Sequence, residues 1–257
     1  MIYAGQDGTT DEAGGVSPFF GYGLGVATSG DGVAWDRAPL NPFITLGEGQ
    51  YGMFWHGSSV VEGEFRSYYA IGDVIDDRSG YRIYGATSPD GETWTPGPDP
   101  IIDLGPLDSY DGSDALAPTI LVEGGVHKMW YNAIDIAGKM TIAHATSADG
   151  VTWVKHEANP VVDLGPDAGP YYPTVLRMGD TYMMWFGGAD GIHLATSPDG
   201  VTWAIGDVPV LTPGAEGDWD SDAVYEPMVL FDGQKFHMWF TGSAGPFVER
   251  IGYATSP

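Results

Sequence analysis

Residues 195–203 read ATSPDGVTW, and the phrase nearly recurs as ATSGDGVAW from Ala27, ATSPDGETW from Ala86, ATSADGVTW from Ala145 and a bare ATSP from Ala254. A fixed phrase at a near-constant period marks an internal repeat, and the repeat decides the fold. The phrase closes a larger unit, seen in the second half as PTVL, then YMMWFGG, then IHLATSPDGVTW. Each unit reads as four short strands. An apolar first strand is followed by a Gly-containing turn. An aromatic second strand has a nearly continuous apolar run, as suits a strand covered on both faces. The third strand is rich in small residues. The Asp-Gly pair then makes a tight turn, because Gly accepts a positive φ and Asp bonds the amides that follow it. The fourth strand starts at the Trp of the phrase.

Four-stranded antiparallel units at a period of roughly 50 to 60 residues predict an all-β, five-bladed β-propeller. The chain of 257 residues is expected to be one propeller domain, with blades at about 1–46, 55–104, 114–164, 171–212 and 222–257. The first and last blades are expected to be incomplete. MIYAG corresponds to a second strand, and the fifth unit ends after its third strand. One outer and one inner strand are thus unaccounted for, which suggests a segment of a longer protein or an unusual closure. An open inner edge would expose a pairing surface, so oligomerisation through it is an expectation. Trp35, Trp94, Trp153 and Trp203 are expected to plug the gaps between neighbouring blades, since a residue repeated in four blades is scaffold more often than a sugar-stacking platform.

Composition narrows the partners. Thirty-five acidic residues face 10 basic ones, a net charge of −25. Such a surface repels phosphate backbones, so nucleic acid is not an expected partner. No apolar run reaches the roughly 20 residues of a membrane helix. Neutral, hydroxyl-rich ligands fit, and the acidity suits an extracellular or periplasmic setting, although no signal peptide is visible. The absence of cysteine removes thiol chemistry and thiolate metal sites.

The first strand of a propeller blade lines the central channel, so chemistry is sought where those strands begin. Just before the proline of that strand, or its equivalent Gly57, the blades carry His56, Ala117, Tyr172 and Glu226. The loops leading in supply Trp55, Asp111, Asp114, Tyr171, Trp219, Asp220 and Asp222. Carboxylates grip hydroxyls and aromatic faces stack on sugar C–H surfaces, so this set points to carbohydrate. Glycoside hydrolysis needs two carboxyl groups about 5 to 10 Å apart. Glu226 is the first candidate acid, with Asp111, Asp114, Asp220 and Asp222 as candidate partners. His56, Trp55, Tyr171, Tyr172 and Trp219 are candidate sugar contacts. Asp111 and Asp220 also read as matching loop caps. DSYDGSD and DWDSD are oxygen-rich enough to hold Ca²⁺, but they lack the EF-hand pattern and no cofactor is required by the chemistry. His127 and His237 are read as sharing a packed second-strand position with Tyr182.

The whole blade pattern resembles the five-bladed propellers of the arabinanase, levansucrase and invertase superfamily, glycoside hydrolase families 43, 32 and 68. The resemblance implies three carboxylates near the axis. Glu226 beside Pro227 partly matches the acid Glu. The supporting Asp follows an Ala-Pro pair in that family, and here Thr119 follows Pro118. The base Asp would lie on the missing inner strand. The implied function is a glycosidase acting on a furanose- or pentose-containing saccharide. The alternative is a non-catalytic carbohydrate-binding or structural propeller module. The phrase is also similar to the sialidase Asp-box, one residue shorter, but without an arginine triad.

Overall fold

A computed structural model of the chain describes residues 2–6, 22–30, 34–47, 49–61, 63–166, 168–245 and 248–257, with backbone alone for 2–6, 22 and 53–61. Its strands form five antiparallel sheets, the blades of a five-bladed β-propeller. The first holds β1 (Ile2–Gln6), β2 (Tyr22–Thr28) and β3 (Asp36–Arg37), with β4 (Ile44–Thr45) also on β2. The second runs β5 (Tyr51–Val61), β6 (Glu64–Ile75), β7 (Arg78–Ser88) and β8 (Thr95–Pro96). The third is β9 (Asp114–Glu123), β10 (Val126–Ile134), β11 (Met140–Ser147) and β12 (Val154–Lys155). The fourth is β13 (Tyr171–Met178), β14 (Thr181–Gly188), β15 (Gly191–Ser197) and β16 (Ala204–Ile205). The fifth stops at three: β17 (Ala223–Phe231), β18 (Phe236–Ser243) and β19 (Glu249–Thr255). Among the described residues there is no α-helix.

The chain falls into two compact units, Met1–Gly105 with Ser113–Pro118 and Pro106–Gly112 with Thr119–Pro257. In the first, Leu24 and Ile44 of the first blade pack on Tyr69, Ile71 and Tyr84 of the second. In the second, Trp130 and Ile142 of the third blade meet Val175, Met184 and Phe186 of the fourth. Trp185 and Ile192 of the fourth blade meet Val229, Met238 and Phe240 of the fifth. β14 is apolar on both faces because it lies between two sheets: Met184 and Phe186 pack toward the third blade and Trp185 toward the fifth.

The repeated phrase is a turn device. In the second, third and fourth blades, Ser88, Ser147 and Ser197 accept the amide of the following Gly at 2.8 Å. One oxygen of Asp90, Asp149 and Asp199 accepts the amides two and three residues on, at 2.8 and 2.7 Å. Those amides hold Asp90 and Asp199 at about 2 and lower Asp149 as well. The indole of each box Trp donates to the Gly carbonyl. Trp94 stacks on Phe43 at 5.0 Å, and Trp203 lies 6.3 Å from Trp130, so these two fill inter-blade gaps as the repeat suggests. Trp153 packs against His127 of its own blade at 6.2 Å, and Trp35 is largely exposed. The last copy keeps its Ser: Ser256 accepts the Phe236 amide.

Two readings need correction. The fourth strands begin after the Trp and are two residues long. The chain then returns to the third strand, through β4 in the first blade and through bridges Ile83–Ile102, Ile142–Val162 and Ile192–Leu211 in the next three. The strand register also aligns Phe236, not His237, with His127 and Tyr182, each three residues before the Trp of its second strand. His237 therefore leaves from the opposite face, where it contacts Asp232 and the Tyr253 hydroxyl.

Candidate functional site

The position before the proline is where the blades differ from an ordinary sheet. Ala117, Tyr172 and Glu226 have φ of 51°, 52° and 52°, the left-handed region. A residue preceding proline is pushed toward extended backbone, and a left-handed non-glycine costs about 1–2 kcal/mol. The same exception in three blades is a built feature. In the fourth and fifth blades it coincides with a bulge: the ladder to the second strand shifts register between Tyr171 and Thr174, and again between Tyr225 and Met228. A bulge re-aims side chains at the strand entrance.

In the fourth blade the bulge is clamped by Asn132. Its carbonyl oxygen accepts the Tyr172 amide at 2.7 Å, and its amide nitrogen donates to the Pro170 and Thr141 carbonyls. Tyr172 then lies 6.4 Å from Tyr171 and 6.2 Å from Tyr225, ring centre to ring centre. Gly187 admits this approach: a Cβ there would stand 3.1 Å from the Tyr225 Cβ. Glu226, half-buried, accepts the Thr241 hydroxyl at 2.7 Å. Tyr225 donates to Glu249 at 2.5 Å. Burial, and then the charges of Glu226 and Glu249, push the Tyr172 phenol well above its ordinary value. Burial and the Glu249 bond do the same for Tyr225. Both phenols therefore stay protonated, and the cluster offers three aromatic rings, hydroxyls and two carboxylates.

The aspartates expected to assist Glu226 have partners of their own. Asp111 is 1% exposed, ion-paired with Lys155 and bonded by the Ser109 hydroxyl. Asp114 accepts the Tyr81 amide at 2.8 Å and the Ser113 hydroxyl. Trp219 stacks on Phe240 at 5.8 Å, and with Asp220 it lies over Gly242, where a Cβ would come within 2.5 to 2.7 Å of them. Asp222 is exposed, its amide bonded to the Ser243 carbonyl. The side chains of Trp55 and His56 lie outside the described residues, as does Asp167 of the loop before Pro173. Thus Tyr171, Tyr172 and Glu226 share one neighbourhood with Tyr225, Thr241 and Glu249, which sequence reasoning did not assign. Tyr225 stands beside Glu226 in YEP and was legible by adjacency. Glu249 had no such signal. Among the described residues, no three His, Asp or Glu side chains converge as a metal-binding group. Among the described residues no helix is long and apolar enough to cross a membrane.

No protein-family model matches the chain. An uncharacterized protein of Mycobacterium tuberculosis is 33% identical over 145 residues, covering 52% of this chain and 48% of that protein. The A type blood N-acetyl-alpha-D-galactosamine deacetylase of Flavonifractor plautii is 29% identical over 167 residues, covering 57% of this chain and 21% of that protein. The chain thus spans about half the length of the first and about a fifth of the second. A crystal structure of an N-acetylgalactosamine deacetylase from F. plautii, in complex with blood group B trisaccharide, matches with a TM-score of 0.69 at 20% identity, over 92% of this chain and 85% of the other. A structure described as a glycoside hydrolase matches with a TM-score of 0.73 at 17% identity, over 95% of this chain and 81% of the other. At these identities the likeness establishes the fold alone, a β-propeller.

Proposed function

We propose that the chain is a carbohydrate-active propeller, and specifically a glycosidase acting on a furanose- or pentose-containing saccharide, with Glu226 as its proton donor. The observation that carries this reading is the placement of Glu226. It stands at a left-handed bulge, bonded by Thr241 and set among Tyr172 and Tyr225. Backbone held in a sparsely populated region recurs at ligand and catalytic sites. In this role the Glu226 carboxyl gives its proton to the glycosidic oxygen as the bond to the sugar carbon breaks. The tyrosine faces support the ring, and the phenols bond its hydroxyls. The acidic surface fits an extracellular or periplasmic setting. The carbohydrate ligand or function named for the structural relatives supports the substrate class.

The test is release of reducing sugar or of a chromogenic aglycone across a panel of furanosides and pyranosides, compared with Glu226→Gln. Turnover lost in the variant upholds the reading, and an inactive wild type across the panel sinks it. A second reading, carbohydrate binding without turnover, is favoured by one observation: Asp111 and Asp114 are engaged by Lys155 and by the Tyr81 backbone. Glycan binding by a wild type that releases no product would select it.

A further inference from the structure

We infer that Thr241 is a positioning residue of the Glu226 site, holding the carboxyl in place while it gives up its proton. The inference rests on the reading of Glu226 as proton donor and adds the group that steadies it. The position two residues after the second-strand Trp carries Asn132 in the third blade, Gly187 in the fourth and Thr241 in the fifth. Gly187 pairs with Tyr171 and Thr241 with Tyr225, the ladder pairs at the edge of each register shift. Beyond them two residues stand opposite one: Tyr172 and Pro173 opposite Phe186, Glu226 and Pro227 opposite Phe240. Asn132 reaches across to the next blade and accepts the Tyr172 amide. Gly187 has no side chain to offer, and Tyr225 packs over it. Thr241, half-buried, donates its hydroxyl to Oε2 of Glu226 at 2.7 Å. Of the three equivalent positions, the hydroxyl stands at the bulge that carries a carboxyl.

The bulge fixes the Glu226 backbone at a φ of 52°, but several rotatable bonds separate that backbone from the carboxyl. The bond from Thr241 anchors their far end. Threonine is β-branched, so its χ1 is restricted and its hydroxyl is held where the strand puts it. The bond serves both protonation states, because a carboxyl keeps acceptor capacity when it carries a proton. In the reaction the Glu226 proton passes to the glycosidic oxygen. That oxygen keeps the electron pair of the breaking bond to the sugar carbon, and the carbon ends with a hydroxyl from water. Glu226 is left as a carboxylate, and the Thr241 bond becomes charge-assisted, shorter and stronger than the neutral one. It therefore stabilises the transition state more than the ground state, and that difference lowers the barrier.

The experiment measures kcat/KM on phenyl and 2,4-dinitrophenyl β-D-xylosides and α-L-arabinofuranosides for the wild-type chain, Thr241→Val, Thr241→Ala, Thr241→Ser and Glu226→Gln. Phenoxide is a basic leaving group that needs a proton, whereas dinitrophenoxide departs without one. Thr241→Val should lose about tenfold on the phenyl glycosides and less than about twofold on the dinitrophenyl ones. Where Thr241→Val does not fold, Thr241→Ala carries the same expectation. Thr241→Ser, which keeps the hydroxyl, should recover at least about threefold of the phenyl loss. Glu226→Gln should show the same dependence on leaving group with a larger loss. A merely structural role for Thr241 would lower both kinds of substrate alike. An equal loss on both, or no loss, in the folded Thr241 variants overturns the inference, as does a Thr241→Ser that behaves like Thr241→Val. The Glu226 reading then stands if Glu226→Gln keeps its leaving-group dependence. A wild type that turns over none of these glycosides, or a Glu226→Gln that loses both kinds alike, overturns both.

Discussion

The Asp-box turns and the pre-proline bulges are both repeated features, and they repeat in opposite ways. At the boxes, backbone and side chains recur together: Ser, Asp, Gly and Trp make the same bonds in three blades. At the positions before the prolines the backbone recurs, φ 51–52°, while the side chain changes from Ala117 to Tyr172 to Glu226. A feature constant in both respects serves each blade alike, so it is scaffold. A constant strained backbone with varied side chains presents different groups from equivalent stations, which is how one fold carries a particular chemistry. The Trp of the phrase falls in the first kind, and the Glu of YEP, which we propose as the proton donor, in the second.

The contrast can be broken from either side. The largest effect is expected at the bulge: Glu226→Gln should lower turnover by about 10²–10⁴-fold with the melting temperature unchanged, because the amide oxygen still accepts from Thr241. A parallel fall in stability would make Glu226 structural. Next comes the scaffold. Trp130 is fully buried and donates to the Gly200 carbonyl at 2.7 Å. Trp130→Ala should cost about 3–5 kcal/mol in denaturant unfolding, with oligosaccharide affinity kept in the folded fraction.

Acid acts on the scaffold as well. Burial first, opposed by the Met129 carbonyl bond, lowers His144 to about 4. The unfolded chain then takes up this proton near pH 6.5 while the folded chain does not, so stability falls as pH drops from about 6.5 to 4, by about 3 kcal/mol from this group. His144→Gln should flatten that limb in urea titrations at several pH values. Asp90 and Asp199, held at about 2, contribute stability that is full above pH 4 and lost as pH falls toward 2. Asp199→Ala, which removes a cap on two amides, should cost about 1 kcal/mol without touching turnover. The smallest effect has the opposite sign. Ala117→Gly relieves a left-handed alanine and should stabilise by about 0.5–1 kcal/mol. Destabilisation there would mean that the strain estimate for the bulge is wrong.

The blades were legible because their signals are local and periodic: the Asp-Gly turn, the aromatic second strand and the small third strand each lie within one repeat. The strand position of Glu226 was legible because the proline beside it supplies a register mark. The bulge itself was not, since a residue before proline is expected to be extended, and His56, Ala117, Tyr172 and Glu226 gave no common residue type to betray a common φ. The roles of the aspartates were hidden by distance in the chain. Lys155 is 44 residues from Asp111, and Tyr81 is 33 from Asp114. The same holds for Glu249, 24 residues from the tyrosine it engages. Asn132, forty residues from the amide it clamps, reads in sequence as an ordinary strand residue.

A crystal structure of the chain soaked with a neutral oligosaccharide that it binds gives the most direct test of the Glu226 site. A sugar ring lying against Tyr172 and Tyr225, with a hydroxyl or glycosidic oxygen in hydrogen-bond reach of Glu226, is the expected result. A ligand seated elsewhere, with the Tyr172 and Tyr225 faces covered by the protein's own side chains, would contradict it.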